Sequence, residues 1–398
     1  MQHVGEAQPV RALFGSAAVC SVIVLLGCGS GGSGSNPTPT PTPTPTAVAP
    51  TIATSTGNGA QNGAVILSLA TTTTGGKIYY TTDGSAPTAS SIPYLAPFLM
   101  TSSATVNAIT VASGDNNSTV TSQVVTANVA SGSVAWSDEF QNSTTANVQP
   151  NPNTWTYDTG FQCCGNNEQE TYCAWGSSTA PCSAASPNAY IAPGGGLKIV
   201  AMQPTSGVST YTSGRMKTQG LFSFQYGRIE AQLQIPESQA MWPAFWLLGN
   251  NISTINWPAC GEADVMEHID GAEPPASAGQ ASLGYDWIAG SVHGGTSASE
   301  LNGSTSYHPS GYSAAGVHTY GMIWTKGQIQ YYVDDPTKPY ATYNTTNGSF
   351  SATTWPFDQG PMFIILNLAV GGSWPGNVDS TTVFPSTFGV GYVRIYAN

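Results

Sequence analysis

The sequence predicts an all-β protein: a jelly-roll sandwich of two antiparallel sheets, preceded by a smaller β-sandwich module. Three observations carry that prediction. Runs of alternating or β-branched residues, among them GRIEAQLQI, QIQYYV, MFIILNLAV and GYVRIY, recur along the chain, and no long amphipathic helical pattern interrupts them. Turn formers punctuate these runs, with 45 Gly and 28 Pro in 398 residues. Only 8% of the residues are charged, far below the roughly 25% of ordinary globular domains, a composition typical of Ser/Thr-rich extracellular β proteins. The 21 acidic and 9 basic residues give a net charge of −12. That balance repels polyanions and excludes a nucleic-acid or heparin-like partner, whereas a neutral partner suits it; a monomer is expected.

Taken in order, residues 1–28 read as an export signal. Arg11 precedes the apolar run ALFGSAAVCSVIVLLG, which is shorter than the ~20 residues a membrane-spanning helix needs. The tetrapeptide LLGC at 25–28 resembles the lipobox of bacterial lipoproteins. That resemblance implies cleavage before Cys28, lipid attachment to it, and a membrane-anchored protein on the cell envelope; simple secretion and an uncleaved anchor are the other readings. Residues 29–48 hold GSGGSGSN and then PTPTPTPTPT, a flexible piece followed by a semi-rigid extended spacer. Residues 49–130 alternate strand-like runs with turn residues and predict the small β-sandwich. Their segment IYYTTDGSAPTASS resembles the chitobiase C-terminal-like modules that accompany bacterial glycan-active enzymes. Tyr79 and Tyr80 point to opposite faces of one strand, so only one of them can face a sugar, and a spacer or packing role is preferred for this module. Residues 131–398 supply the strands of the larger sandwich.

Within that larger domain, GEADVMEHID at 261–270 concentrates acids in a chain that has few. On a strand Glu262 and Asp264 share a face, and Glu267 points backwards. A β-bulge at Val265–Met266 absorbs one residue and turns all three carboxylates to the same side. Two such glutamates suit a retaining glycosidase: Glu262 as the ionised nucleophile, Glu267 as the acid that protonates the leaving oxygen and later deprotonates water. Asp264 between them keeps their proton affinities apart. The bare acid cluster also reads as a solvated strand end or a calcium site.

The flanking segments WSDEF at 136, NNE at 166, SGRMKT at 213, YGRIEAQLQIP at 226, MWPAFWLLG at 241, WPACGEADVME at 257, HTYGMIWT at 318 and LNLAVGGSWPGN at 366 occur in this order. Together they resemble a bacterial laminarinase of glycoside hydrolase family 16. The resemblance implies a concanavalin-like jelly roll with a sugar-binding cleft, and endo-acting retaining hydrolysis of β-1,3-glucan, with a neutral β-glucan as partner. The other readings are an agarase- or carrageenase-type galactan hydrolase, a transglycosylase of the same family, and a non-catalytic β-glucan-binding protein on the same sandwich. In that family the bulged E-x-D-x-x-E form is shared by β-1,3-glucanases and some galactan hydrolases, and the unbulged E-x-D-x-E form belongs to lichenase and xyloglucan-modifying members, so Met266 separates those subgroups. Carried over by position, Trp242, Trp246 and Trp257 line the cleft, Asn166 and Arg215 bond glucose hydroxyls, His293 stands near the acid/base side, and Trp374 sits at the cleft edge. Glu230 is an alternative local partner for Arg215.

Two features depart from the family pattern. Gly391 stands where family members often place a calcium-binding Asp, so no metal or other cofactor is expected. The aromatic-rich run around NNE is rewritten as FQCCGNNEQETYCAWGSSTAPC. Export favours disulfides among Cys163, Cys164, Cys173 and Cys182, with the pairing open, and Cys260 is expected as a buried free thiol.

Overall fold

In the computed structural model, which describes residues 43–203, 210–270, 285–346 and 348–398, the alternating runs form two large antiparallel sheets. Cys28 and the signal and linker residues up to 42 lie outside the described residues. No helix among the described residues is long and apolar enough to cross a membrane.

One sheet has seven strands in the order Ser299–Tyr307, Ile288–Thr296, Glu262–Glu267, Met241–Gly249, Met362–Val370, Arg215–Lys217 and Thr156–Tyr157. The facing sheet has eight, running from Ala189–Ile191 through Leu197–Ala201, Ser386–Tyr396, Gly227–Gln234, Val317–Thr325 and Gln328–Val333 to Ala341–Asn344, with Val134–Asp138 paired to Ser386–Tyr396. Each strand sends alternate side chains inward, and one continuous apolar core results. Trp136 stacks on Phe222 there, ring centroids 4.5 Å apart. Met362–Val370 departs from alternation: it is buried at every position because it lies mid-sheet, apolar on both faces.

The cysteine-rich segment takes part in a separate three-stranded sheet, Gly160–Phe161, Glu170–Tyr172 and Tyr211–Ser213. Disulfides join Cys163 to Cys164 and Cys173 to Cys182, and Cys260 is a buried free thiol.

The N-terminal module packs a three-stranded sheet (Thr51–Ser55, Val65–Ala70, Phe98–Met100) on a four-stranded one (Ile92–Pro93, Lys77–Thr81, Ser102–Val111, Thr121–Asn128). It has its own core, in which Tyr80 stacks on Phe98, while Tyr79 is half-buried on the other face. The module is also fastened to the larger sandwich by main-chain groups. Gln61 N–H donates to the Ala135 carbonyl at 2.9 Å and Ser137 N–H to the Gly59 carbonyl at 3.1 Å. The indole N–H of buried Trp136 donates to the Asn58 carbonyl at 2.7 Å, and Leu99 N–H to the Ser223 carbonyl at 3.0 Å. Ala64, Ile66 and Leu99 enter the main core.

Candidate active site

The Glu262–Glu267 strand lies between Met241–Gly249 and Ile288–Thr296, and its register breaks on both sides. Asp264 stands opposite Trp246 and Met266 opposite Phe245, which leaves Val265 unpaired. On the other side Asp264 faces Ser291 and Glu267 faces Ala289. This is the bulge expected at Val265–Met266, and burial explains it. Ala263, Val265 and Met266 all face the core, at most 1% exposed. A regular strand would turn Met266 outward and Glu267 inward. Burying Met266 stabilises by roughly 1.5–3 kcal/mol, and burying an unpaired carboxylate costs several kcal/mol, so both terms favour the extra residue.

Glu262, Asp264 and Glu267 thereby line one open cleft of about 410 Å³ together with Trp242, Trp246, Trp257, Asn166 and Arg215. Each glutamate accepts a hydrogen bond from its own indole. Trp257 Nε1 lies 3.1 Å from Glu262 Oε2, and Trp242 Nε1 lies 3.0 Å from Glu267 Oε1. Trp257 is 42% exposed and lines the cleft beside His293, ring centroids 6.1 Å apart. Trp246 donates to Asn367 at 2.8 Å and has the Arg215 guanidinium over its ring at 4.7 Å.

Burial, and next the charge of Asp264, push Glu262 up to about 8, while His293, Arg215 and the Trp257 N–H pull it back. The same burial and the same Asp264 hold Glu267 well above the usual carboxylate range, with the Trp242 N–H as the main opposing contact. Both glutamates are held up by burial and by Asp264 and both feel His293, whereas Arg215 acts on Glu262.

Three expectations need correction. His293 is at the Glu262 end of the strand, not on the Glu267 side: the two residues are register partners. Its Nε2 is 3.2 Å from Asp264 and 4.0 Å from Glu262, and its Nδ1 is 2.7 Å from Glu300. Burial would lower its proton affinity, but the hydrogen bond and charge of Asp264, with Glu262 and Glu300, push it up to about 10. Glu262, Asp264 and His293 offer ligand atoms within 4.8 Å of one another, and a protonated His293 balances that charge without a cation. The local carboxylate partner of Arg215 is Asp158, Nε to Oδ2 at 3.0 Å, and not Glu230, which pairs with Arg228; Arg215 still lines the cleft. Trp374 packs edge-on behind Trp242, centroids 5.3 Å apart, in a cluster with Trp287. At Gly391, the Gln232 side chain fills the space a Cβ would take.

Four residues at or beside the site carry no site role in the sequence pattern: Glu168, Asp158, Asn367 and Cys164, the last expected only as a disulfide partner. Glu168, Asn367 and Cys164 line the cleft. Glu168 and Asn367 belong to NNE and LNLAVGG, segments that carried the family resemblance, so their signal was present without a role attached.

A β-sandwich whose cleft holds two glutamates, each tethered by an indole on either side of a central aspartate, has the parts of a glycoside hydrolase. The comparisons agree. The family model for glycosyl hydrolases family 16 matches residues 178–384, and the chain belongs to that family. A model of the chitobiase/beta-hexosaminidase C-terminal domain matches residues 56–122. A beta-glucanase of Rhodothermus marinus is 34% identical over 271 residues, covering 66% of this chain and 84% of that protein. Glucan endo-1,3-beta-glucosidase A1 of Niallia circulans is 31% identical over 284 residues, 67% of this chain but only 38% of that longer protein. The catalytic domain of an endo-1,3-beta-glucanase (laminarinase) from Thermotoga petrophila superposes with a TM-score of 0.53 at 31% identity, covering 67% of this chain and 98% of the other.

Proposed function

We propose that this chain is an endo-acting, retaining β-1,3-glucanase that cleaves laminarin-like polysaccharide. The observation that carries the reading is the bulged strand, which turns Glu262, Asp264 and Glu267 into one indole-lined cleft. Glu262 attacks the anomeric carbon while Glu267 gives its proton to the departing glycosidic oxygen, leaving a glycosyl ester on Glu262. Glu267, now ionised, takes a proton from water, whose oxygen displaces Glu262 from the same carbon. Asp264 and the protonated His293 hold Glu262 in place between steps. Trp242, Trp246 and Trp257 stack on sugar rings, and Asn166 and Arg215 bond hydroxyls; Trp374 supports Trp242 from behind. The relatives named as 1,3-glucanases support this substrate.

We further propose that the protein is exported, anchored through lipid on Cys28, and monomeric. Two disulfides in the globular part support an oxidising compartment. Residues 49–130 serve as a docked brace for the catalytic domain, a role supported by the main-chain bonds at Asn58, Gly59 and Gln61.

The test is to incubate the full chain with laminarin, lichenan, agarose and carrageenan and to identify the products. Laminarin oligosaccharides are expected, and Glu262→Gln is expected to bind laminarin without turnover. Cleavage of agarose or carrageenan in preference to laminarin would reject the substrate assignment.

A further inference from the structure

Beside the two glutamates of the bulged strand there is a second acidic pair for which the chemistry above has no use: Glu168, which lines the cleft, and Glu170 behind it. Glu168 is 3% exposed and Glu170 is 1% exposed. None of the ion pairs among the described residues includes either. One oxygen of each is accounted for: Glu170 Oε2 accepts the Val370 N–H at 2.8 Å, and Glu168 Oε1 lies 3.5 Å from Asn166 Nδ2. The other two, Glu168 Oε2 and Glu170 Oε1, are buried with no donor. Buried oxygens without partners are rare and need an explanation.

We propose that Glu168 and Glu170 share one proton, and that the pair positions Asn166 in the wall of the sugar-binding cleft. A hydrogen on Glu170 Oε1, donated to Glu168 Oε2, satisfies both orphaned oxygens with one bond. Two adjacent buried carboxylates with no cation do not both ionise, so the proton is retained at neutral pH. In support, burial and then the charge of Glu168 hold Glu170 well above the usual carboxylate range, and the two side chains are in hydrogen-bond contact.

The groups packed around the pair fit this arrangement. Tyr172, on the same strand as Glu170, has its phenol driven far up by burial, by the charges of both glutamates and by a hydrogen-bond contact with Glu168, so it stays neutral and its hydroxyl is a second donor facing Glu168. From the Met362–Val370 strand come the Val370 N–H and Asn367, whose amide donates to the Tyr172 oxygen at 3.3 Å and whose carbonyl accepts from Trp246. From the Arg215–Lys217 strand comes Arg215, already paired with Asp158. On the loop side, Asn166 has a φ of 59° and its carbonyl accepts the Ser373 N–H at 2.7 Å. Its backbone is therefore fixed, and Glu168 sets which way its amide faces the cleft. Losing the shared proton places a second negative charge in this wall, drives the carboxylates apart, and releases Asn166. Glu168 and Glu170 are positioning residues in this scheme: they act on substrate through Asn166.

This proposal rests on the reading of the cleft as a sugar site, so its test includes a measurement that needs no substrate. Full-length wild type and Glu170→Gln are compared by infrared difference spectroscopy at neutral pH, and by KM and kcat on a laminarin oligosaccharide from neutral to alkaline pH. A glutamine amide at 170 donates to Glu168 and accepts from Val370 without titrating. The expected results are one protonated-carboxyl component appearing in the wild-type-minus-variant difference spectrum, over the Glu262 and Glu267 absorption common to both proteins, and a KM that climbs about three- to tenfold with pH only in wild type. Absence of that component at neutral pH, or the same KM profile in both proteins, overturns the proposal. If Glu170→Gln does not fold, Glu168→Gln carries the same infrared test, because its amide hydrogen replaces the shared proton. Absence of laminarin cleavage would count against the substrate assignment and leave the infrared result intact.

Discussion

Trp242→Phe should move the alkaline limb of the pH–activity profile upward, and Trp257→Phe should move the acid limb upward. The first change keeps an aromatic ring at the position that meets Trp374 edge-on, centroids 5.3 Å apart in the native protein, and removes, together with part of the indole, the N–H that lies 3.0 Å from Glu267. That bond stabilises the ionised form of Glu267, so losing it raises the proton affinity further. A hydrogen bond to a charged group contributes about 1.5–3 kcal/mol. At about 1.4 kcal/mol per pK unit, the alkaline limb of kcat/KM, where the acid loses its proton, should rise by about one to two units. The second change acts on Glu262 in the same direction. Trp257 is half-exposed, so water replaces much of its contact, and the acid limb should rise by less than about one unit. Because the two glutamates titrate together, the comparison rests on which limb moves rather than on absolute values. The assay is initial-rate hydrolysis of a laminarin oligosaccharide across pH, with each limb fitted separately. If Trp242→Phe moves the acid limb and Trp257→Phe the alkaline one, the nucleophile and the acid have been exchanged. If neither limb moves, the indoles do not tune the carboxylates at all.

Deleting Met266 should lower stability by roughly 2–5 kcal/mol through the lost core side chain, measured by urea unfolding, yet leave detectable hydrolysis, because regular alternation then returns Glu267 to the cleft face. Deleting Val265 and Met266 together should abolish hydrolysis, since parity then sends Glu267 into the core. Gly59→Val should lower the unfolding temperature of the whole chain in one calorimetric transition. Gly59 has φ +88°, and a Cβ there would stand 2.5 Å from Trp136 Nε1 and 2.6 Å from the Ser137 carbonyl; strain and overpacking together cost roughly 2–6 kcal/mol. Two separate transitions, with only the earlier one shifted, would reject the brace. His268 is 1% exposed, and burial lowers its proton affinity to about 4, against an ordinary 6.5. The unfolded chain therefore binds a proton that the folded chain refuses. The stability this group contributes is full above about pH 6.5 and falls by about 3 kcal/mol as pH drops through 4. His268→Gln should flatten that part of the stability–pH curve, measured by urea unfolding between pH 7 and 4.

What the sequence disclosed was governed by whether a feature is written in local periodicity. The bulge was legible because Val265 and Met266 are consecutive apolar residues between acids, and a strand can bury both only by adding a residue. Trp242 and Trp246 were legible for the same reason, since four steps on a strand return to one face. Partners distant in the chain left no such trace. Arg215 and Asp158 are 57 positions apart, and nothing local marks Asp158 as the carboxylate in reach. His293 was placed at the wrong end of the cleft because its position depends on the register of two strands separated by a long connection. Docking of the N-terminal module uses the carbonyls of Asn58 and Gly59, and every residue has a carbonyl.

The Cys163–Cys164 bond marks the limit of such rules from the other side. Its Cα atoms are 3.7 Å apart, closer than the roughly 4.4–6.8 Å of ordinary disulfides, so pairing by usual spacing passes over it. It lies in a turn in which Gly160, Gln162, Gly165, Asn166 and Asn167 all have positive φ. Glycine and asparagine are the residues that reach this region most easily, so the sequence GNN does announce a tight turn. That turn presents Asn166 and Cys164 to the cleft, and just beyond it the chain enters the buried Glu168–Glu170 pair. The cysteine-rich segment therefore contributes Cys164, Asn166 and Glu168 to the cleft lining beside the tryptophans. Differences in sugar preference should be sought there, because the bulged strand to which we assign the chemistry is fixed by core packing and has little freedom to vary.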